Sequence, residues 1–174
     1  MFVKRGSTMV LVVVILAAIL TVTAFLVDAA AAYITQARLY NLADAGADAG
    51  SATLTDLILG QALIREPNPP DGADPINYLT EEDRQAILAD PRVVEAARNY
   101  VEQNRAPYNL NLSAVEVQYP VQPVICGAGG QRQAEILVMV RRTQSFLLSR
   151  LLNGRESTGL AAEARQFISL CPVS

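Results

Sequence analysis

The chain has 174 residues, 51% hydrophobic and 18% charged, a net charge of −3, and neither histidine nor tryptophan. Its 14 basic residues are scattered rather than gathered into a stripe, which sets nucleic acid aside as a partner. Without histidine the commonest general base and metal ligand are missing, so no cofactor, metal or small-molecule substrate is expected.

From Met9 to Val27 every residue is apolar or small except Thr21 and Thr23. At about 1.5 Å per residue this run matches a bilayer's hydrocarbon core. Lys4 and Arg5 precede the run and Asp28 closes it, with no further base until Arg38. The positive-inside rule then leaves residues 1–8 as a basic leader in the cytoplasm, 9–27 as a transmembrane helix, and the C-terminal part as a periplasmic or extracellular domain. A cleaved signal peptide is the competing reading; the run is longer than the usual apolar core of such peptides, which favours a retained single-pass anchor in the cell membrane.

Residues 28–64 contain no proline and predict one exported stalk helix. Within it Ala-Asp-Ala-Gly occurs twice, over 43–46 and 47–50, placing Ala43, Gly46, Ala47 and Gly50 on a small-residue face suited to close packing against another helix. Asp44 and Asp48 read as solvated carboxylates. Residues 65–80 form a proline-rich loop, in which Asp71 and Asp74 read as turn residues.

A small exported domain is expected over 81–174. Thr80 with Asp83 has the pattern of a capping box, and Asp90-Pro91 that of a helix start, giving helices over 81–89 and 91–104. Val93, Val94, Ala97, Tyr100 and Val101 form the apolar stripe of the second. Apolar residues then alternate from Leu110 to Tyr119, slipping phase at Ser113-Ala114, as in a bulged strand. Gly127 to Gly130 suits a hairpin loop; no Lys-Ser/Thr follows it, which removes a phosphate-loop reading. A second strand is expected over 134–143, a helix over 144–152 capped by Gly154, and a third strand over 157–166. Cys126 and Cys171 are the only cysteines, and in an exported domain they are expected to form a disulfide. The fold class is therefore α+β: a long N-terminal helix, then a small domain with a short antiparallel sheet and flanking helices.

The stretches Arg5-Gly6-Ser7, Val27-Asp28-Ala29-Ala30-Ala31-Ala32-Tyr33, Ala37-Arg38-Leu39 and Leu42 to Gly50 resemble the N-terminal motif of the TadE/TadG-like proteins of Tad (tight adherence) systems, which assemble Flp-type pili. Asp28, Tyr33, Arg38, Leu39, Ala43, Asp44, Ala45 and Gly50 carry the match. The resemblance implies a pilin-like exported domain and a structural or accessory role, as a minor pseudopilin-like subunit or an anchored envelope protein, and no catalysis. It further implies that other pilus assembly or pilin-like subunits are met through the N-terminal helix. Gly6 and Ser7 form a candidate leader-cleavage site, and Leu11 stands where bulk pilins usually carry Glu, which would keep the chain out of the bulk filament. The alternative from another class is a membrane-anchored binding or adhesion module.

Overall fold

The computed structural model describes residues 3–126, 130–146 and 158–172, with side chains from Thr8 onward. The fold is α+β, as the sequence pattern predicts. Helix α1 runs Val3–Arg65, α2 Glu81–Leu88 and α3 Arg92–Asn104; strands β1 (Ala114–Gln118), β2 (Gln133–Gln144) and β3 (Thr158–Ser169) form one antiparallel sheet in the order β1-β2-β3. β1 pairs with β2 in a register that sets Val115 opposite Val140 and Val117 opposite Val138. Internal contacts divide the chain into two compact units: residues 1–37 with 143–160, and residues 38–142 with 161–174.

In the first unit α1 is bare over the apolar run. The large apolar side chains from Met9 to Val27 expose 50–75% of their surface, so this stretch is not the core helix of the protein. The Thr21 and Thr23 hydroxyls donate to the Ala17 and Ile19 carbonyls, each at 2.8 Å, which leaves no hydroxyl unpaired along the run. Further on, one face becomes covered through Ala24, Asp28, Ala31 and Ala32, and Thr35 is buried.

The second unit is built on the rest of the same helix. Leu39, Leu42, Ala43, Ala47, Leu54, Ile58 and Ala62 recur at helical spacing and are all buried. Against them stand Val93, Ala97 and Val101 of α3 and Ile136, Val138 and Val140 of β2, every one buried. From Arg38 the helix belongs to the second compact unit, where Gly46 and Gly50 lie against α3 and β2.

Local chemistry sets the short elements. Thr80 and Asp83 form a complete capping box at the start of α2. At the start of α3, Asp90 Oδ1 accepts from Arg92 N at 2.9 Å while Pro91 is the boundary residue, one position later than the sequence pattern suggests. A 3-10 turn over Pro75–Tyr78 is capped by Asp74 Oδ1, which accepts from Ile76 N.

Three sequence expectations change. The strand expected from Leu110 begins at Ala114: a 3-10 turn over Ala106–Tyr108 ends at Asn109 with φ 50°, and Leu110 is buried without entering the ladder. Gln144 ends β2 rather than opening a helix. The remainder of that expected helix, its Gly154 cap, and Gly127 to Gly129 lie outside the described residues. β3 runs to Ser169, three residues beyond the expected end.

Candidate functional site

The small-residue face is occupied from within the chain. A methyl placed on Gly46 would stand 2.6 Å from Val101 Cγ2 and 3.2 Å from the Ala97 carbonyl oxygen. One placed on Gly50 would stand 3.3 Å from Ala97 Cβ and 3.5 Å from Ile136 Cδ1. Ala43 and Ala47 are fully buried beside them. These four residues pack on α3 and β2 of the same unit, so the contact that small side chains permit is intramolecular. Asp44 is exposed, whereas Asp48 Oδ1 accepts from Gln166 Nε2 at 2.6 Å and ties α1 to β3.

Cys126 and Cys171 are joined, with a Cα–Cα distance of 5.3 Å across 45 positions of sequence. The bridge fastens the end of β3 to the segment leading into β2. Beside it Leu170 N donates to the Arg132 carbonyl at 3.1 Å, and Arg84 Nε donates to the Leu170 carbonyl at 3.0 Å. α2, the C-terminal segment and the sheet thus meet at one corner.

A second cluster joins the end of α1 to the start of α2. Asp83 is 4% exposed, and its carboxylate accepts from Gln61 Nε2 (2.7 Å), Arg65 Nε and Nη2 (2.9 Å each), and Thr80 N and Oγ1 (2.9 and 2.6 Å). The Arg65 guanidinium and then the Thr80 donors hold its carboxyl well below the usual carboxylate range. On the sheet, the buried Glu135 carboxylate pairs with Arg165 Nη1 at 2.8 Å. Tyr119 donates to the Ile87 carbonyl at 3.3 Å, and burial together with the Asp90 charge pushes its phenol far above the ordinary value.

The capping-box spacing exposes Asp83 in the sequence, but its partners were missed. Gln61 and Arg65 stand four apart on one helix face, a signal too common to single them out. Nothing local pairs Glu135 with Arg165.

Several grooves lie among the described residues, one of them lined by Tyr40, Arg141 and Glu163. Another of about 500 Å³ lies between Gln85, Leu88 and Ala89 of α2 and its flank and the Pro120–Ile125 segment, without a titratable side chain. A smaller one of about 100 Å³ at the end of α1 is lined by apolar residues apart from Glu66 and Tyr78. Among the described residues no group of three or more Cys, Asp or Glu is placed to hold a metal ion. Gly6 and Ser7 lie within the α1 range, and Leu11 is 58% exposed.

Compared with family models, curated proteins and solved structures, the chain matches none. The class that the fold defines is an α+β domain on a helix long and apolar enough to cross a membrane.

Proposed function

We propose that the protein is a single-pass membrane subunit of a Tad/Flp-type pilus assembly system, structural or accessory rather than catalytic. Its N-terminus lies in the cytoplasm and its disulfide-bridged domain on the far side of the membrane. One observation carries the reading: the same helix offers a bare apolar surface from Met9 to Val27 and, from Leu39 on, is the central core element of the folded domain. An uncovered apolar stretch of this length is stabilised by lipid or by neighbouring apolar helices, and a domain built on its continuation is fixed to whatever the stretch enters. Lys4 and Arg5 on one side and Asp28 on the other set the direction. The motif resemblance over residues 5–50 supplies the assembly system.

Contacts with other subunits are assigned to the apolar span, since the face of Ala43, Gly46, Ala47 and Gly50 is filled by the chain's own α3. With Leu11 in place of an acidic residue, the chain acts as an uncut anchor or as a minor subunit. A charged amine at Ser7 would have no carboxylate at Leu11 to meet among apolar helices, and an unpaired charge there costs several kcal/mol.

The test combines a periplasm-active reporter fused after Ser174, intact-mass measurement of the mature N-terminus, and proteomics of sheared pili. Reporter activity beyond the membrane, with pilus assembly proteins co-purifying from native membranes, is the expected result. Activity confined to the cytoplasm overturns the topology, and abundant protein beginning at Ser7 along the filaments overturns the minor role.

A further inference from the structure

We propose that the open side of α1 just past the apolar run, formed by Ala29, Ala30, Tyr33, Ile34 and Ala37, lies in the lipid headgroup layer, so that α1 leaves the bilayer leaning toward this side. The inference rests on the membrane reading of α1 given above, and every residue concerned belongs to the first compact unit.

Past Val27 the two sides of the helix differ. Asp28, Ala31 and Ala32 are half-buried and Thr35 is buried, and at about 3.6 residues per turn these four fall on one side. Ala29, Ala30, Tyr33, Ile34 and Ala37 fall on the opposite side and are exposed, Tyr33 by 77% and Ile34 by 48%. Asp28 is the single charged residue between Met9 and Ala37, and it stands on the covered side. The open side therefore continues the bare apolar surface of Met9 to Val27 past Asp28 without meeting a charge.

Continuity names the occupant. With Met9 to Val27 in the bilayer, Tyr33 stands six residues past the end of the run, about 9 Å along the helix. The headgroup layer on each side of the hydrocarbon is roughly 5–8 Å deep. Side chains on a helix lean toward its N-terminus, which brings the Tyr33 ring closer to the lipid than its own backbone. A lean toward the open side, within the ordinary tilt of about 20°, lowers that ring further. Tyrosine suits the layer, because its ring is apolar and its phenol is hydrated there. A neighbouring helix would instead favour small side chains at its closest approach, and Tyr33 and Ile34 hold it off. On the open side lipid contact thus ends about two turns later than on the side of Asp28, and this inequality sets the direction in which the helix leans.

The absence of tryptophan from the whole chain makes the test direct. Two single-tryptophan variants, Tyr33→Trp and Phe25→Trp, are reconstituted into phosphatidylcholine/phosphatidylglycerol vesicles with and without brominated acyl chains, after mass analysis shows that each keeps the Cys126–Cys171 bridge. Phe25 stands in the apolar run and reports the span itself. Both tryptophans are expected to lose emission intensity to brominated lipid, Tyr33→Trp most strongly when the bromines are near the headgroup, with emission blue-shifted from that of tryptophan in water. Quenching of Phe25→Trp with unquenched, water-like emission from Tyr33→Trp overturns the headgroup contact and leaves the span intact. Blue-shifted emission from Tyr33→Trp that brominated lipid does not quench also overturns it, and gives the open side to a protein neighbour. Failure to quench Phe25→Trp removes the membrane reading and this inference with it.

Discussion

Gly46 of α1 and Val101 of α3 approach so closely that a side chain on the glycine would enter the valine: the added carbon would stand 2.6 Å from Val101 Cγ2. The Ala97 carbonyl closes the other side at 3.2 Å, and backbone is slow to yield. Overpacking of this kind costs about 1–3 kcal/mol, against a gain of about 1 kcal/mol from helix propensity. Gly46→Ala is therefore expected to lower stability by up to about 2 kcal/mol. Gly50→Ala, whose nearest contacts are 3.3 and 3.4 Å, is expected to stay within about 1 kcal/mol of the parent. Urea unfolding in detergent, followed by far-ultraviolet circular dichroism, measures the contrast; equal effects at the two positions would place the helix contact elsewhere.

Asp83 makes the domain acid-sensitive. Its folded carboxyl lies below the unfolded value, so it stabilises the fold at pH above about 4 and loses that contribution as pH falls further. Asp90, held down by Arg92, and Glu81, held down by Gln85, act in the same direction. In Asp83→Asn the midpoint of thermal unfolding should be lower at neutral pH and fall less steeply below pH 4. An unchanged acid limb would show that the carboxylate does not couple α1 to α2.

Reduction of the Cys126–Cys171 bridge frees a loop of 45 positions, worth about 4 kcal/mol on the chain-entropy model. Leu170 remains tied to Arg132 and Arg84, so the domain should survive reduction with a lower unfolding midpoint rather than collapse. Non-reducing mass analysis with alkylation, repeated after dithiothreitol, checks both halves; two alkylatable thiols in protein from an oxidising medium would contradict the bridge.

Arg165→Met leaves the buried Glu135 carboxylate without its 2.8 Å partner and should cost about 1–3 kcal/mol. Glu135→Gln combined with Arg165→Met should recover part of that loss, because an amide needs less compensation than a charge. Additive losses in the double-mutant cycle would mean that the two side chains act independently.

What the sequence could reveal was local. The apolar run, the Thr80–Asp83 box and Val93, Ala97 and Val101 of the α3 stripe follow from neighbours a few positions apart and stand where their pattern indicated, whereas Tyr100, expected on the same stripe, is 43% exposed and Val94 only half-buried. Leu110 and Leu112 imitated a strand because alternation reports which side chains turn inward, and a left-handed Asn109 can turn Leu110 inward without any ladder. The glycines of α1 advertised a close approach, but helix periodicity names a face and not its occupant. That the occupant is α3 and β2 of the same chain depends on contacts made far along the sequence. The Glu135–Arg165 pair was invisible for the same reason.

Because α1 is the centre of the domain, it is synthesised long before its cover. Leu39, Leu42, Leu54 and Ile58 emerge from the ribosome with nothing to bury them until α3 and then β2 have followed. During that interval the chain carries two apolar surfaces, one for lipid and one for a sheet that does not yet exist, and either can be taken by the wrong neighbour. Folding is consequently governed by the last third of the sequence: a chain that stops before Gln133 has its helix and no core, and a quality-control protease would meet it as an unfolded tether.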